Sequence, residues 1–257
     1  MTIGNATYSV RDYLRDGRLK LTDFAQFNAD LGVTALEYND MFFETWDGSY
    51  LAEVRASAEK AGCRIVCLTC GGSFCSDDEA ERRQSVHTIA RRLQDAKALG
   101  AGVIRANVGR TGDEQRDGTV GVQRAIKALD RLVPLCREHN VRITIENHGG
   151  ASKRADWILK MILSTDPQWI GTCPDLGNFP AESRYLELAK VLPYAYHVHM
   201  KSHEFDDRGE ETATDFGRVV RMLKDCDNAA VLSIEFEGSG DQVEGVKKTK
   251  ALIERYL

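Results

Sequence analysis

The stretch VRITIENHGG, Val141 to Gly150, decides how the rest of the chain is read. Val141, Ile143 and Ile145 alternate with Arg142, Thr144 and Glu146, the period of a β-strand with two different faces. The polar residues and the Gly pair that follow predict a loop. Glu146 therefore falls at the last position of a strand, on the face opposite the apolar one. A carboxylate there gives up hydration unless a cation, hydrogen bonds or a substrate compensates it.

Working outward, the same strand-then-helix unit recurs along the chain. Strands are expected at Ala6–Val10, Val33–Tyr38, Arg64–Thr69, Gly102–Val108, Val141–Glu146, Trp169–Asp175, Tyr194–Lys201 and Ala230–Phe236. Between them lie helical patterns, such as Val86, Ile89, Leu93 and Ala96 running to Gly100, and Val122, Ile126, Leu129 and Val133 running to Asn140. Thr22 and Ser152 read as N-caps, and Asp241 with Glu244 as a capping arrangement for the last helix. Eight such units about 30 residues apart predict a single (β/α)₈ barrel spanning residues 1–257. A doubly wound sheet would need a Gly-rich turn after the first strand, and SVRDYLRDG does not supply one.

Composition excludes several classes. The net charge of −5 over 257 residues offers no general attraction to nucleic acid or an anionic membrane. No apolar run of about 18 residues is present to span a bilayer, and MTIGNATYSV does not read as a signal peptide. Seven cysteines, scattered and odd in number, suit a reducing cytoplasmic setting; Cys67 and Cys70 read as a buried reduced pair at a strand end.

In a barrel, function gathers at the C-terminal ends of the strands. Four of those ends carry ligand-type residues: Glu146 in TIENHGG, Asp175 in TCPDLGNF, His199 in YHVHMKS and Glu235 in SIEFEGSG. Strand parity puts Ser233 and Glu235 on the inner face, as it does His197, His199 and Lys201. Three carboxylates at one mouth would raise one another's pKa unless a cation lay among them. Three oxygen ligands and an imidazole suit one divalent ion: Mn²⁺, with Mg²⁺, Co²⁺ or Zn²⁺ as alternatives.

With ENHGG, PDLGNF, HVHMKS and SIEFEG in this order, nearly the whole chain resembles the xylose isomerase-like TIM-barrel superfamily, the sugar phosphate isomerase/epimerase group. The resemblance is to its ketose 3-epimerases and inosose dehydratases. It implies one divalent ion held by Glu146, Asp175, His199 and Glu235, with Glu146 and Glu235 as the acid–base pair. The implied chemistry is proton removal beside a carbonyl of a keto sugar or polyol, followed by epimerisation or by loss of a hydroxyl. Asn178 stands where many ketose 3-epimerases carry a His, and Ser202 where Asp is commoner, so the match to that subgroup is incomplete.

Around this set, Lys201 is a candidate for holding a substrate hydroxyl, with pairing to Glu237 as its alternative. His148, Asn107, Arg105, Glu37, Asn178, His203 and Arg208 are further candidate substrate contacts, with an internal Arg105–Glu37 pair as the competing reading. His197, one layer deeper, reads as a hydrogen-bonding core residue. The acids that open the last helix oppose a phosphate at that end of the barrel, so an unphosphorylated carbohydrate is the expected partner. Endonuclease IV shares the superfamily, but its His-rich three-metal cluster is not matched here: Thr69 and Asn107 stand near strand ends, and the chain has six His. A non-catalytic carbohydrate-binding barrel would need no intact pair of acids. Oligomeric state is left open, a homo-oligomer being compatible with the sequence.

Overall fold

The computed structural model describes residues 1–257. Eight parallel strands follow in order: β1 (Thr2–Ala6), β2 (Ala35–Asn39), β3 (Arg64–Cys70), β4 (Val103–Ala106), β5 (Arg142–Glu146), β6 (Ile170–Cys173), β7 (His197–Ser202) and β8 (Val231–Phe236). Each is followed by a main helix: α1 (Phe24–Asp30), α2 (Gly48–Lys60), α3 (Glu79–Leu99), α4 (Val122–His139), α5 (Ala155–Leu163), α6 (Arg184–Val191), α7 (Phe216–Asp225) and α8 (Gln242–Tyr256). Pairing runs β6-β5-β4-β3-β2-β1-β8-β7, and β1 joins β8 in parallel, as a (β/α)₈ barrel requires.

The seam between β6 and β7 is held by the isolated bridges Thr172↔Ala195 and Asp175↔His199. Pro174 has no N–H to continue the β5–β6 ladder, which ends at Glu146↔Cys173. Its carbonyl instead accepts the His199 N–H at 2.9 Å, while the Leu176 N–H reaches the His199 carbonyl at 3.2 Å. The β6–β7 seam is thus closed by isolated bridges and not by a continuous ladder, and Asp175 and His199 stand at one of them.

The apolar parity of the strands builds the layer under the helices. Leu36, Tyr38, Leu68, Ile104, Ile143, Ile145, Val198, Met200, Leu232 and Ile234 are all buried there. The opposite parity points into the barrel, which is why the polar residues of β5, β7 and β8 meet. No helix is long and apolar enough to cross a membrane. All seven cysteines are free, with Cys67 and Cys70 buried.

Three local expectations are corrected. The first strand is Thr2–Ala6, and Thr7–Val10 forms a 3₁₀ turn. That turn forms because the Thr7 and Ser9 hydroxyls donate to Asn39 Oδ1 at 2.7 Å and to the Ile234 carbonyl at 2.9 Å, tying it to β2 and β8. Ser152 does not cap a helix: it lies in a 3₁₀ turn, Gly150–Ser152, after Gly149 and Gly150 take left-handed φ of 77° and 52°. Its hydroxyl bonds the Gly149 carbonyl, and α5 starts at Ala155, whose N–H is capped by Glu187 at 2.7 Å. Thr22 lies in a short turn, and α1 begins at Phe24 without a side-chain cap. Asp241 does cap α8, accepting the Glu244 N–H at 3.0 Å.

Candidate metal centre

Glu146 ends β5, Asp175 follows the Pro174 break after β6, His199 lies within β7 and Glu235 within β8. One donor atom from each lies within 4.8 Å of the others, and all four side chains are buried. His199 Nδ1 is 3.1 Å from Glu146 Oε1 and 3.4 Å from Glu235 Oε1. The Asp175 backbone is gripped by Asn147, which accepts its N–H at 2.7 Å and donates to its carbonyl at 3.0 Å. Asp175 Oδ1 accepts the N–H groups of Gly177 and Asn178, which leaves Oδ2 turned to the cluster.

Glu146 Oε2, Asp175 Oδ2 and Glu235 Oε2 are buried and accept no hydrogen bond. Cations stand near them: Arg105 Nε lies 3.3 Å from Glu146 Oε2, and Lys201 Nζ lies 3.0 Å from Asp175 Oδ2 and 3.3 Å from Glu235 Oε2. These ion pairs attract the carboxylates without forming hydrogen bonds, and each oxygen keeps a lone pair for a further ligand. Three such oxygens beside an imidazole nitrogen fit a divalent ion. Crowding also separates the acids. Burial, with Glu235 and Glu146 adding to it, pushes the Asp175 carboxyl well above the usual carboxylate range, against the pull of Lys201. Burial opposes ionisation of Glu146 too, but Arg105 and His199 outweigh it and hold that carboxyl well below the range. Glu235 is likewise opposed by burial, yet lowered by His199 and Lys201.

Above the cluster opens a cavity of about 420 Å³. Of the residues singled out in the sequence, Glu146, Glu235, Lys201, His148, Asn107, Arg105 and Asn178 line it. Lys201 also pairs with Glu237 at 3.0 Å and donates to Asn178 Oδ1 at 3.2 Å. Arg105 donates to Asn107 Oδ1 at 2.9 Å. Its carboxylate partner is Glu146 and not Glu37.

Three candidate substrate contacts lie elsewhere. Glu37 is fully buried beneath His199 and does not reach the cavity. The register of β2 against β3 shifts between Leu36 and Glu37, a bulge that sets where the Glu37 side chain falls. His203 and Arg208 are exposed and outside the cavity lining. Asp206 accepts the backbone N–H groups of Arg208 and Glu210 at 2.9 Å, and the Arg208 carbonyl is tied to Arg255 on α8. His197 bonds Glu37 at 2.6 Å, the core role expected of it.

The cavity also draws on Tyr8, Asn39, Asp40 and Met41, which sequence reasoning did not single out. Asn39 ends β2 and Asp40 and Met41 follow it, so strand-end position was the available signal; Tyr8 was hidden by placing the first strand too late. A second cavity of about 450 Å³ lies at the other end of the barrel, among Arg64, Val103 and Val231 at strand starts. Its size is similar, but the carboxylate cluster does not open into it.

Residues 25–256 match the family model described as xylose isomerase-like TIM barrel. The C-glycoside deglycosidase alpha subunit of Arthrobacter globiformis is 33% identical over 78 residues, 28% of this chain; the match spans 22% of that protein's length. Among solved structures, D-psicose 3-epimerase from Clostridium cellulolyticum H10, with D-tagatose, superposes at a TM-score of 0.77 and 14% identity, covering 100% of this chain and 98% of that one. The 3-keto-D-glucoside 4-epimerase from E. coli, in its apo form, gives 0.72 and 15%, covering 92% and 94%. At such identities these likenesses carry the fold alone.

Proposed function

The chain belongs to the xylose isomerase-like TIM-barrel family, and on that premise we propose that it is a divalent-metal-dependent sugar isomerase or epimerase that moves a proton beside a carbonyl. The observation that carries the reading is the trio of buried oxygens on Glu146, Asp175 and Glu235 that accept no hydrogen bond, next to His199 and under an open cavity. These four residues would hold the ion. When bound, the ion supplies Lewis acidity that polarises a carbonyl and makes the neighbouring C–H more acidic.

The chain's own residues do the rest. Glu146 and Glu235 reach the cavity from β5 and β8, on either side of the β6–β7 seam. One carboxylate takes the proton from the carbon beside the carbonyl, and the other returns one to the opposite face. Arg105 at Glu146 and Lys201 at Glu235 favour the ionised form in which the first carboxylate acts as base, while the second must carry a proton before it can return one. Asn107, Asn178 and His148 offer hydrogen bonds to hydroxyls along the wall.

The substrate is an unphosphorylated keto sugar or polyol. Arg105 and Lys201 are already paired with carboxylates, and Asp40 and Glu237 add further acids to the lining. At the α8 N-terminus, where barrels often seat a phosphate, Asp241 already occupies the N–H of Glu244. The names of the neighbours, epimerases of D-psicose and of a 3-keto-D-glucoside, agree with this class.

The test is incubation of the Mn²⁺-supplemented protein with free ketoses and inososes in D₂O, read by NMR and mass spectrometry. Epimerisation places deuterium beside the carbonyl in a stereoisomer of otherwise unchanged composition. Loss of one water would mark a dehydratase instead. Turnover with neither exchange nor water loss would favour a hydride shift and remove Glu146 and Glu235 as bases.

A further inference from the structure

Beneath the ligand cluster lies a carboxylate that the proposed reaction does not use. Glu37 has no exposed surface, and no Lys or Arg pairs with it. Four side chains surround it. Oε1 meets the Thr69 hydroxyl and His199 Nε2, the latter at 3.0 Å. Oε2 meets Ser233 Oγ at 2.7 Å and His197 Nε2 at 2.6 Å. An ionised carboxylate accepts and cannot donate, and its two oxygens offer about four lone-pair sites. Each of these four neighbours can donate, so the hydrogen-bonding capacity of Glu37 is filled with no acceptor set against it.

This assignment places a proton on Nε2 of His199. A ring that donates from Nε2 and is otherwise neutral has a lone pair on Nδ1. Nδ1 is the atom turned to Glu146 Oε1 and Glu235 Oε1. Facing two carboxylates, Nδ1 needs either its own proton or a cation between them, and an ion bound there takes the place of that proton. We propose that Glu37 is the positioning residue of the centre: by accepting Nε2–H of His199 it selects the ring tautomer and holds Nδ1 toward the ion. The inference rests on the metal reading given above and goes beyond it, to a residue that touches neither ion nor substrate. Thr69, which lines the cavity, is hydrogen-bonded to Glu37 and lies on its cavity side. Ser233 and His197 support the carboxylate without touching the ring of His199 through a hydrogen bond.

The Glu37→Gln variant tests this directly. If the amide oxygen stays toward His199, its NH₂ faces His197 and Ser233, which must turn from donors to acceptors, and a neutral amide oxygen holds the Nε2–H more weakly than a carboxylate does. If the amide turns over, its NH₂ faces His199 Nε2 and drives the proton to Nδ1, where it blocks ligation. Either outcome loosens the centre. Mn²⁺ affinity, measured on the full-length metal-stripped chain by competition with a chelating dye, should fall about 10–100-fold, the usual effect of losing an outer partner of a metal-ligating His. Ser233→Ala, which removes a Glu37 partner remote from the His199 ring, should stay close to wild type.

A second measurement needs no variant of Glu37: ¹⁵N–¹H correlation of the imidazoles in the Mg²⁺-loaded wild type should show His199 protonated at Nε2 and not at Nδ1. A folded Glu37→Gln protein that binds Mn²⁺ within twofold of wild type would overturn the proposal alone, as would a His199 protonated at Nδ1. Failure of the wild type to bind Mn²⁺ at all would overturn the metal reading and this inference with it.

Discussion

Truncating Asn147 to Ala should weaken the barrel where β5 and β6 end, without replacing a proposed ligand. Pro174 ends the β5–β6 ladder one residue before Asp175, and the Asn147 side chain takes over the missing rungs. Its amide accepts the Asp175 N–H at 2.7 Å and donates to the Asp175 carbonyl at 3.0 Å, with both residues buried. Asn147→Ala leaves one buried donor and one buried acceptor without partners. At about 1–3 kcal/mol for each unsatisfied group, the cost is roughly 2–6 kcal/mol. For a domain of this size each kcal/mol shifts Tm by about 2–4 °C, so a fall of roughly 5–20 °C is expected. Thermal unfolding should be followed in chelator, so that lost metal binding does not contribute. The variant should also bind Mn²⁺ more weakly once folded at low temperature, because Asp175 is no longer held in place. A Tm within about 2 °C of wild type, well below the smallest shift that two orphaned groups allow, would refute the clamp.

Two further outcomes follow from the same cluster. Glu146→Gln and Glu235→Gln should each lower turnover about 10²–10⁴-fold, with metal content measured alongside, whereas Glu237→Gln at the partly exposed rim should be mild; full activity at unchanged metal occupancy would remove that residue from the mechanism. Saturating the wild type with Mn²⁺ at about 100 times Kd should stabilise it by about 2.7 kcal/mol relative to chelator, a rise of roughly 5–11 °C in Tm; coincident melting curves would speak against a site built for a cation.

Strand periodicity alone determined a good deal of this protein. The alternation of Val141–Glu146, repeated at Tyr196–Lys201 and Leu232–Glu235, specified which side chains enter the barrel, because successive residues of a strand face opposite sides. Once the barrel was recognised, the meeting of Glu146, Asp175, His199 and Glu235 followed from strand order and parity, and the structure brings their donor atoms within 4.8 Å. Helix caps were less legible, since Ser152 and Thr22 carry the right side chains while the backbone around them turns in ways that only tertiary contacts select.

What only the tertiary structure decided is which polar residue meets which, because such partners are set across the barrel and not along the chain. Glu37 has the position of a pocket residue, but a bulge against β3 and four donors from β3, β7 and β8 fix it under His199. Arg105 pairs with Glu146 because their strands are neighbours, and Glu37 lies two strands away from β4. Asn147 reads as one more polar residue after a strand, and its grip on Asp175 exists only where the backbone after Pro174 comes beside it. His203 and Arg208 follow β7 closely in sequence, yet both are exposed and neither lines the cavity, and the Arg208 carbonyl is tied to Arg255 on α8. Parity is a local property of a strand; the partner of a buried charge is a property of the closed barrel.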